Sequence, residues 1–355
     1  MLIIFKAEKE NNRSNNKYKR GISGSVICKM KVVVTGATGH IGNVLVRDLI
    51  KKGYEVTSLV LNEKDAEILK ELNTKIVYGD VRKLETLVSA FEGAEIVFHL
   101  AEIIEIGSGN KRKVHEVNVD GSKNVVAACK MAHVKKLVYT SSVHAIPEKA
   151  GVITETKAFS PKLVKGTYAK SKAEATNYIL NSNSEDLEVI IVHPSGVIGP
   201  YEYIKSNMGQ LIIDCANGRM KASIKGGYNF VDVRDVSNGI ILAAEKGRPG
   251  ECYILAGQSI TIKDLMAIIE KLTGKKAPRF IIARWFAYIT GIFSELFYKI
   301  VNEKPLFTSY AVYTTGTNHN FSIEKAQKEL GYTVRDIEET IRDTIEWYKK
   351  RGEIK

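Results

Sequence analysis

A strand, a glycine turn and a helix stand in immediate succession at 31–50, where KVVVTGATGHIG runs into NVLVRDLI, and no other stretch narrows the folds open to this chain so far. The β-branched run Lys31-Val32-Val33-Val34 reads as a buried strand of a parallel sheet. Gly36, Gly39 and Gly42 follow in the spacing G-x-x-G-x-x-G, and Asn43 to Ile50 carries an amphipathic helical pattern. Such a turn lets the backbone approach a pyrophosphate, whose charge meets the unpaired N–H groups and positive dipole end of the helix. Glycine spacing alone is weak, because any tight strand-to-helix turn recruits glycine. The strand before it and the helix after it make it a dinucleotide fingerprint. Gly36→Val is therefore expected to exclude a nucleotide while sparing the fold.

From Met30 onward strands and helices alternate. Further strands are expected at 55–61, 75–78, 95–100, 136–140 and 187–193, with helices at 64–72, 84–91, 117–132 and 168–181. Alternation of this length predicts an α/β doubly wound parallel sheet, with ligands at the carboxyl ends of its strands. Asp80, His99-Leu100-Ala101, Ser141-Ser142 and His193-Pro194-Ser195 all fall at such ends.

A second constellation is YAKSK at 168–172. Tyr168 and Lys172 are four apart and share a helix face. For a phenol to act as a base near pH 7 its ionised form needs roughly 4 kcal/mol of stabilisation, which a neighbouring ammonium can supply in large part. Ser142, at a strand end, would hold the substrate oxygen. A Tyr-Lys pair at this spacing is commonplace on a helix surface; its meaning comes from following a nucleotide fingerprint and a strand-end serine.

TGATGHIG at 35–42, GDVR at 79–82, HLA at 99–101, NVDGSKNV at 118–125, YTSS at 139–142, YAKSK at 168–172 and HPSGVIGP at 193–200 occur in order. GGYNFVDVRDV at 226–236, ECYILAG at 251–257 and EKAQKELGY at 324–332 continue the series. In this the chain resembles the extended short-chain dehydrogenase/reductases, or NAD-dependent epimerase/dehydratases, and within them dihydroflavonol reductase and 3β-hydroxysteroid dehydrogenase relatives. The resemblance implies a Rossmann domain with a smaller C-terminal substrate lobe. It implies NAD or NADP held by Gly36, Thr38, Gly39, His40, Ile41, Gly42, Leu100, Ala101, Tyr168, Lys172, His193 and Pro194, with adenine contacts from Asp80 and Val81. It implies catalysis by Ser142, Tyr168 and Lys172, with Lys172 also holding the nicotinamide ribose, and a homodimer built on a four-helix bundle of about 113–132 and 168–181. Two departures stand out. Val60, Leu61 and Asn62 replace both the acid that marks NAD and the arginine that marks NADP, leaving cofactor choice open, with Lys64 the one cation near a 2′-phosphate. Val143-His144 replaces the Asp-Glu pair of sugar-nucleotide dehydratases.

The expected division is 30–193 with about 226–258 as nucleotide domain, and about 194–225 with 259–355 as substrate lobe, including helices at 261–274, 323–330 and 337–351. Residues 1–29 read as a disordered leader or upstream extension before Met30, the alternative being a short ordered arm. They hold Lys6, Lys9, Arg13, Lys17, Lys19, Arg20 and Lys29 against Glu8 and Glu10, so much of the net charge of +12 sits there. The rest is spread without a basic helix, which argues against nucleic acid as a partner. Cys28, Cys129, Cys215 and Cys252 form no C-x-x-C pair and read as reduced structural thiols in a cytoplasm, with no metal site. The most apolar stretch, 280–300, is broken by Arg284, Glu295 and Lys299. It reads as a buried substrate-lobe helix ahead of an interfacial membrane helix or a lid over a lipophilic pocket. The function expected is interconversion of a secondary alcohol and a ketone. A nucleotide-sugar 4-epimerase on the same residues is the alternative, and a non-catalytic nucleotide sensor the third class.

Overall fold

The computed structural model describes residues 29–104, 110–300 and 309–355. The expectation for the leader, and Cys28 with it, lies outside the described residues apart from Lys29. The strands are β1 (Lys31–Thr35), β2 (Glu55–Val60), β3 (Lys75–Tyr78), β4 (Ile96–His99), β5 (Lys136–Thr140), β6 (Glu188–Pro194), β7 (Gly196–Ile198), β8 (Ser223–Ile224), β9 (Gly227–Asp232), β10 (Glu251–Leu255), β11 (Gln258–Thr261) and β12 (Ile281–Ile282). The helices are α1 (His40–Lys51), α2 (Glu63–Ala66), α3 (Leu84–Phe91), α4 (Lys111–His115), α5 (Gly121–Met131), α6 (Thr167–Leu180), α7 (Asn207–Ala216), α8 (Val233–Lys246), α9 (Ile262–Thr273), α10 (Arg284–Ile300), α11 (Ser309–Thr314), α12 (Glu324–Leu330) and α13 (Ile337–Lys350).

Seven strands form one parallel sheet in the order β10-β6-β5-β4-β1-β2-β3. The order reverses between β1 and β4, and the crevice at their carboxyl ends is where a doubly wound sheet takes its ligand. Both faces are covered, as a parallel sheet demands. Val33, Val97 and Leu137 point to one face with Phe91, Val126 and Ile179. Val32, Val34, Phe98 and Val138 point to the other with Leu45, Leu49, Val236 and Ile240. Successive strand residues alternate between the two cores, so the β-branched runs are buried on both sides.

The remaining strands are short. β7, β9 and β11 make a separate three-stranded sheet, and β8 pairs with β12. A third core collects Ile212, Leu265, Ile269, Ile341 and Ile345 from α7, α9 and α13. Thr261 caps α9 by accepting from the Asp264 N–H at 3.0 Å, and Gly274 ends it in the left-handed conformation.

Four expectations change. The segment 226–258, expected to belong to the nucleotide domain, divides: β9 does not join the main sheet, and β10 supplies its seventh strand. The helix expected over 64–72 is α2 followed by a 3₁₀ turn at Glu67–Leu69. The segment carrying α12 packs on the nucleotide domain: Ala326, Leu330 and Tyr332 lie in the core with α8. The preference for a buried helix at 280–300 is overturned where side chains are described, since Trp285 is 68% exposed and Phe286, Tyr288, Ile289 and Ile292 are exposed with it.

Candidate active site

The glycine turn is built by steric need. Gly36 has φ +68°, and a Cβ there would stand 2.7 Å from both the Ala101 nitrogen and the Leu100 carbonyl carbon. Substitution at Gly36 thus strains the turn and the end of β4 together, so the expectation that Gly36→Val spares the fold does not hold. A Cβ on Gly42 would fall 2.0 Å from the Gly36 oxygen. The first bond inside α1 is Asn43 N–H to Gly39 oxygen at 3.0 Å, which leaves the His40 and Ile41 N–H groups without an intrahelical acceptor. No side chain caps this end. The turn therefore offers an anion backbone donors that no capping side chain occupies, and a dinucleotide pyrophosphate suits it.

Other residues expected at the cofactor have partners of their own within the protein. The His40 ring donates from Nε2 to the Pro200 carbonyl at 2.9 Å, tying the turn to the segment after β7 and leaving only its backbone for a phosphate. The Asp80 carboxylate is clasped by Arg82 through Nε at 3.0 Å and Nη2 at 2.5 Å, and this bonding holds its pKa below the usual range. Val81 is buried, its carbonyl accepting from Asn124 at 2.9 Å. Asn62 serves as the cap of α2. His193 is fully buried and stacked on Phe159, and its Nδ1–H donates to the Ser142 carbonyl at 3.0 Å. It reaches the site only through the Ser142 carbonyl and has no exposed face. Pro194 ends β6 beside it.

Beneath the crevice runs a buried chain of hydrogen bonds. The Leu100 and Ala101 N–H groups both donate to the Thr35 hydroxyl at 3.2 Å, so Thr35 donates to His99 Nδ1 at 2.8 Å. His99 Nε2–H donates to Ser122 at 3.0 Å, and Ser122 to the Asn118 carbonyl at 2.7 Å. Burial, with Lys172 nearby, holds His99 down at about 3, so the ring stays neutral.

Ser142, Tyr168 and Lys172 come together at the carboxyl end of β5. Ser142 caps a 3₁₀ turn by accepting from the His144 N–H at 3.2 Å. Tyr168 and Lys172 project from the buried face of α6, 6% and 1% exposed. The Lys172 ammonium donates to the Thr140 carbonyl at 2.8 Å, stands 2.8 Å from a Glu102 oxygen, and lies 4.4 Å from the centre of the Tyr139 ring. The Tyr168 hydroxyl donates to the same carboxylate, at 3.2 and 3.3 Å. Burial pushes Tyr168 well above its ordinary value and Glu102 pushes it further, with a hydrogen bond from Ser142 pulling the other way. Burial pulls Lys172 down, but Glu102 and Tyr139 outweigh it, so the ammonium is held charged. Lys172 was expected to lower Tyr168; in this arrangement its charge is spent on Glu102.

Glu102 and Asn118 are the residues that sequence reasoning missed. Asn118 sits in a π turn (Glu116–Asp120) and its amide brackets the backbone of Ile103, accepting from Ile103 N–H at 2.8 Å and donating to the Ile103 oxygen at 3.0 Å. π turns of this kind are frequent at functional sites. The signal for Glu102 was its place, directly after HLA at a strand end.

Next to the site lies a cavity of about 270 Å³ lined by His144, Ile146, Leu163, Ala169, Tyr228 and Tyr310 among others. His144 separates it from Tyr168, its ring edge-on to the phenol at 6.2 Å and stacked on Tyr228 at 5.8 Å. His144 Nε2 and the Tyr228 hydroxyl share a hydrogen bond of 2.5 Å.

Residues 32–256 match the model of the NAD dependent epimerase/dehydratase family. The chain is 30% identical to "Sterol demethylase protein B" of Methylococcus capsulatus over 92% of this chain and 100% of that protein. It is 28% identical to the mouse protein "Sterol-4-alpha-carboxylate 3-dehydrogenase, decarboxylating", covering 89% of this chain and 90% of the other. Among solved structures, gox2253 superposes with a TM-score of 0.80 at 33% identity, over 91% of this chain and 99% of that one. The chain belongs to the NAD-dependent epimerase/dehydratase family and is an enzyme of the extended short-chain dehydrogenase type, using a nicotinamide dinucleotide.

Proposed function

We propose that this enzyme interconverts a secondary alcohol and a ketone on a lipophilic, ring-shaped substrate, with Ser142, Tyr168 and Lys172 as its working residues. The observation that carries the reading is the gathering of these three side chains beside an aromatic cavity. Ser142 holds the substrate oxygen. Tyr168 passes the proton to or from that oxygen. Lys172, with two of its donors on Thr140 and Glu102, orients the cluster and stands ready for a ribose hydroxyl. The cofactor's contribution when bound is to take up or supply the hydride. The glycine turn, Leu100 and Ala101 border its place.

The alternative, a nucleotide-sugar 4-epimerase, calls for free cations to hold a diphosphate. Of the four cations that could serve, Lys205, Arg219, Lys221 and Lys225, two are engaged, Lys205 with Glu353 at 2.7 Å and Arg219 with Asp214 at 3.2 Å, and Lys221 and Lys225 are exposed, which weighs toward the apolar alcohol. The names of the sterol-acting relatives support the same substrate class. The exposed face of α10 fits such a substrate too. Trp285, Phe286, Tyr288, Ile289 and Ile292 are exposed behind Lys275, Lys276, Arg279 and Arg284, an amphipathic, basic pattern suited to lying on a membrane. α10 packs on α11, which gives Tyr310 and Tyr313 to the cavity. No helix among the described residues is long and apolar enough to cross a membrane. Buried free thiols at Cys129, Cys215 and Cys252 fit a cytoplasmic enzyme.

The test is a panel of 3β-hydroxysteroids, simple secondary alcohols and nucleotide sugars, each with NAD and NADP. Turnover of a steroid or alcohol is expected, reduced at least ~100-fold in Tyr168→Phe with cofactor affinity nearly unchanged. Turnover confined to nucleotide sugars refutes the substrate class; full turnover in Tyr168→Phe refutes the residue assignment.

A further inference from the structure

Glu102 belongs to none of the sequence motifs, yet it is the group on which Tyr168 and Lys172 meet. It leaves β4 at the carboxyl edge of the sheet, and its position is fixed from both sides. Asn118 brackets the next residue, Ile103, and donates from Nδ2 to Ser171 at 3.1 Å, on the helix that carries Tyr168 and Lys172. The Glu102 side chain is 19% exposed where that of Lys172 is 1% exposed. Of the three groups in the cluster it is the one with a route to water.

We propose that Glu102 is the terminal proton acceptor of the reaction, taking the phenolic proton of Tyr168 while Tyr168 takes the hydroxyl proton of the alcohol. This rests on the acid/base reading of Tyr168 given above. In the oxidising direction the carbinol C–H bond breaks and its electron pair leaves as hydride to an oxidised nicotinamide. The substrate O–H bond breaks and a new O–H bond forms on Tyr168. The original Tyr168 O–H bond breaks and its proton forms a carboxylic acid on Glu102, which gives it up to solvent. Reduction runs the same transfers backwards. Tyr168 is neutral at both ends of the sequence.

The surroundings favour this route over a free tyrosinate. Facing Glu102 are Tyr168 and Lys172 from α6 and Tyr139 from β5; His99 stacks on Tyr139, and His144 stands against Tyr168. Burial keeps both histidines neutral. Lys172 and Glu102 are thus the two charges of the cluster and cancel each other. A tyrosinate would add a second negative charge to a buried site, whereas a handover to Glu102 moves the existing one.

Glu102→Gln keeps the shape and a hydrogen bond but cannot accept the proton; Glu102→Asp keeps the acid. Wild-type oxidation of a 3β-hydroxysteroid should be flat near neutrality. In Glu102→Gln the rate should instead rise with pH toward tyrosine-like values, with turnover down ~100-fold at about pH 6 and nearly restored at about pH 10. Glu102→Asp should restore the flat profile. A second measurement needs no turnover: near-ultraviolet titration of the cofactor-free protein, with Tyr168→Phe subtracted in each background. The Tyr168 phenol should ionise at lower pH in Glu102→Gln than in wild type. An active Glu102→Gln enzyme with the wild-type pH profile overturns the proposal, as does an unchanged phenol titration. A wild type that oxidises none of the steroids or alcohols defeats the function proposed above instead, and leaves the titration to decide the Glu102–Tyr168 coupling.

Discussion

Two glycines of one turn should separate stability from cofactor binding. In Gly42→Ala the new methyl is directed at the Gly36 carbonyl from 2.0 Å, and both partners are backbone at a strand-to-helix junction. Neither can swing aside as a flexible side chain would. Overpacking of this kind costs about 1–3 kcal/mol, with the rigid partner placing it at the upper end, and the better helix propensity of alanine returns about 1 kcal/mol. A net loss of about 2 kcal/mol lowers Tm by about 3 °C for a chain of this size. In Gly39→Ala the methyl meets only the Gly36 oxygen, at 3.3 Å, and Gly39 has an ordinary φ of −70°. The fold should accept it with Tm nearly unchanged.

What the Gly39 methyl alters is the space beside the open end of α1, where the His40 and Ile41 N–H groups await an anion. Loss of one charge-assisted hydrogen bond is worth about 1.5–3 kcal/mol, so affinity for NAD or NADP should fall ~10-fold to ~100-fold. Calorimetric titration with both nucleotides and a thermal melt on each variant make the measurement. A Gly42→Ala protein that melts with wild type refutes the steric argument. A Gly39→Ala protein with wild-type affinity for both nucleotides places the phosphate site elsewhere.

Acid should destabilise the protein through His99 and His193, both fully buried and held at about 3 and about 4 against 6.5 in the unfolded chain. The unfolded chain then binds more protons below pH 6.5, so stability is full above that value and is lost as pH falls; each should cost about 2 kcal/mol at about pH 5. Urea melts across this window check it, and a pH slope unchanged in His193→Asn contradicts it. The exposed face of α10 should carry the protein up with anionic vesicles in a flotation assay, and Trp285→Ser with Phe286→Ser should abolish this; wild type left at the bottom of the gradient refutes membrane contact. Dimerisation through α5 and α6 should give twice the chain mass in light scattering at micromolar concentration, and a strict monomer refutes it.

Signals confined to one segment were legible in the sequence. β1 and α1 follow from a β-branched run, three glycines and an amphipathic pattern within twenty or so residues, and α9 was bounded by Thr261 and Gly274 through their own capping geometry. The shared face of Tyr168 and Lys172 needed only helical spacing. What stayed hidden depends on neighbours distant in sequence. The strands β7, β9 and β11 are three to six residues long, too short for a period to declare which sheet they join, and β9 pairs with β7 and β11 instead of the main sheet. The stretch 280–300 shows how composition alone misleads, because apolar side chains read as core whether the surface that covers them belongs to this chain or to a partner.

Glu102 is the sharpest case. A glutamate in a loop after a strand reads as a solvated surface charge, and local pattern has nothing to set against that. Its meaning comes from the pairing of β4 with β5 and the packing of α6 against the same edge, which carry a residue 66 positions from Tyr168 to within hydrogen-bonding distance of it. Once there, the carboxylate changes the reading of the pair: Lys172 alone would draw the phenol toward ionisation, whereas Lys172 neutralised by Glu102 leaves it protonated. The residues of the motif therefore name the chemistry, while the one residue outside it determines which group of the site bears the charge when the proton moves.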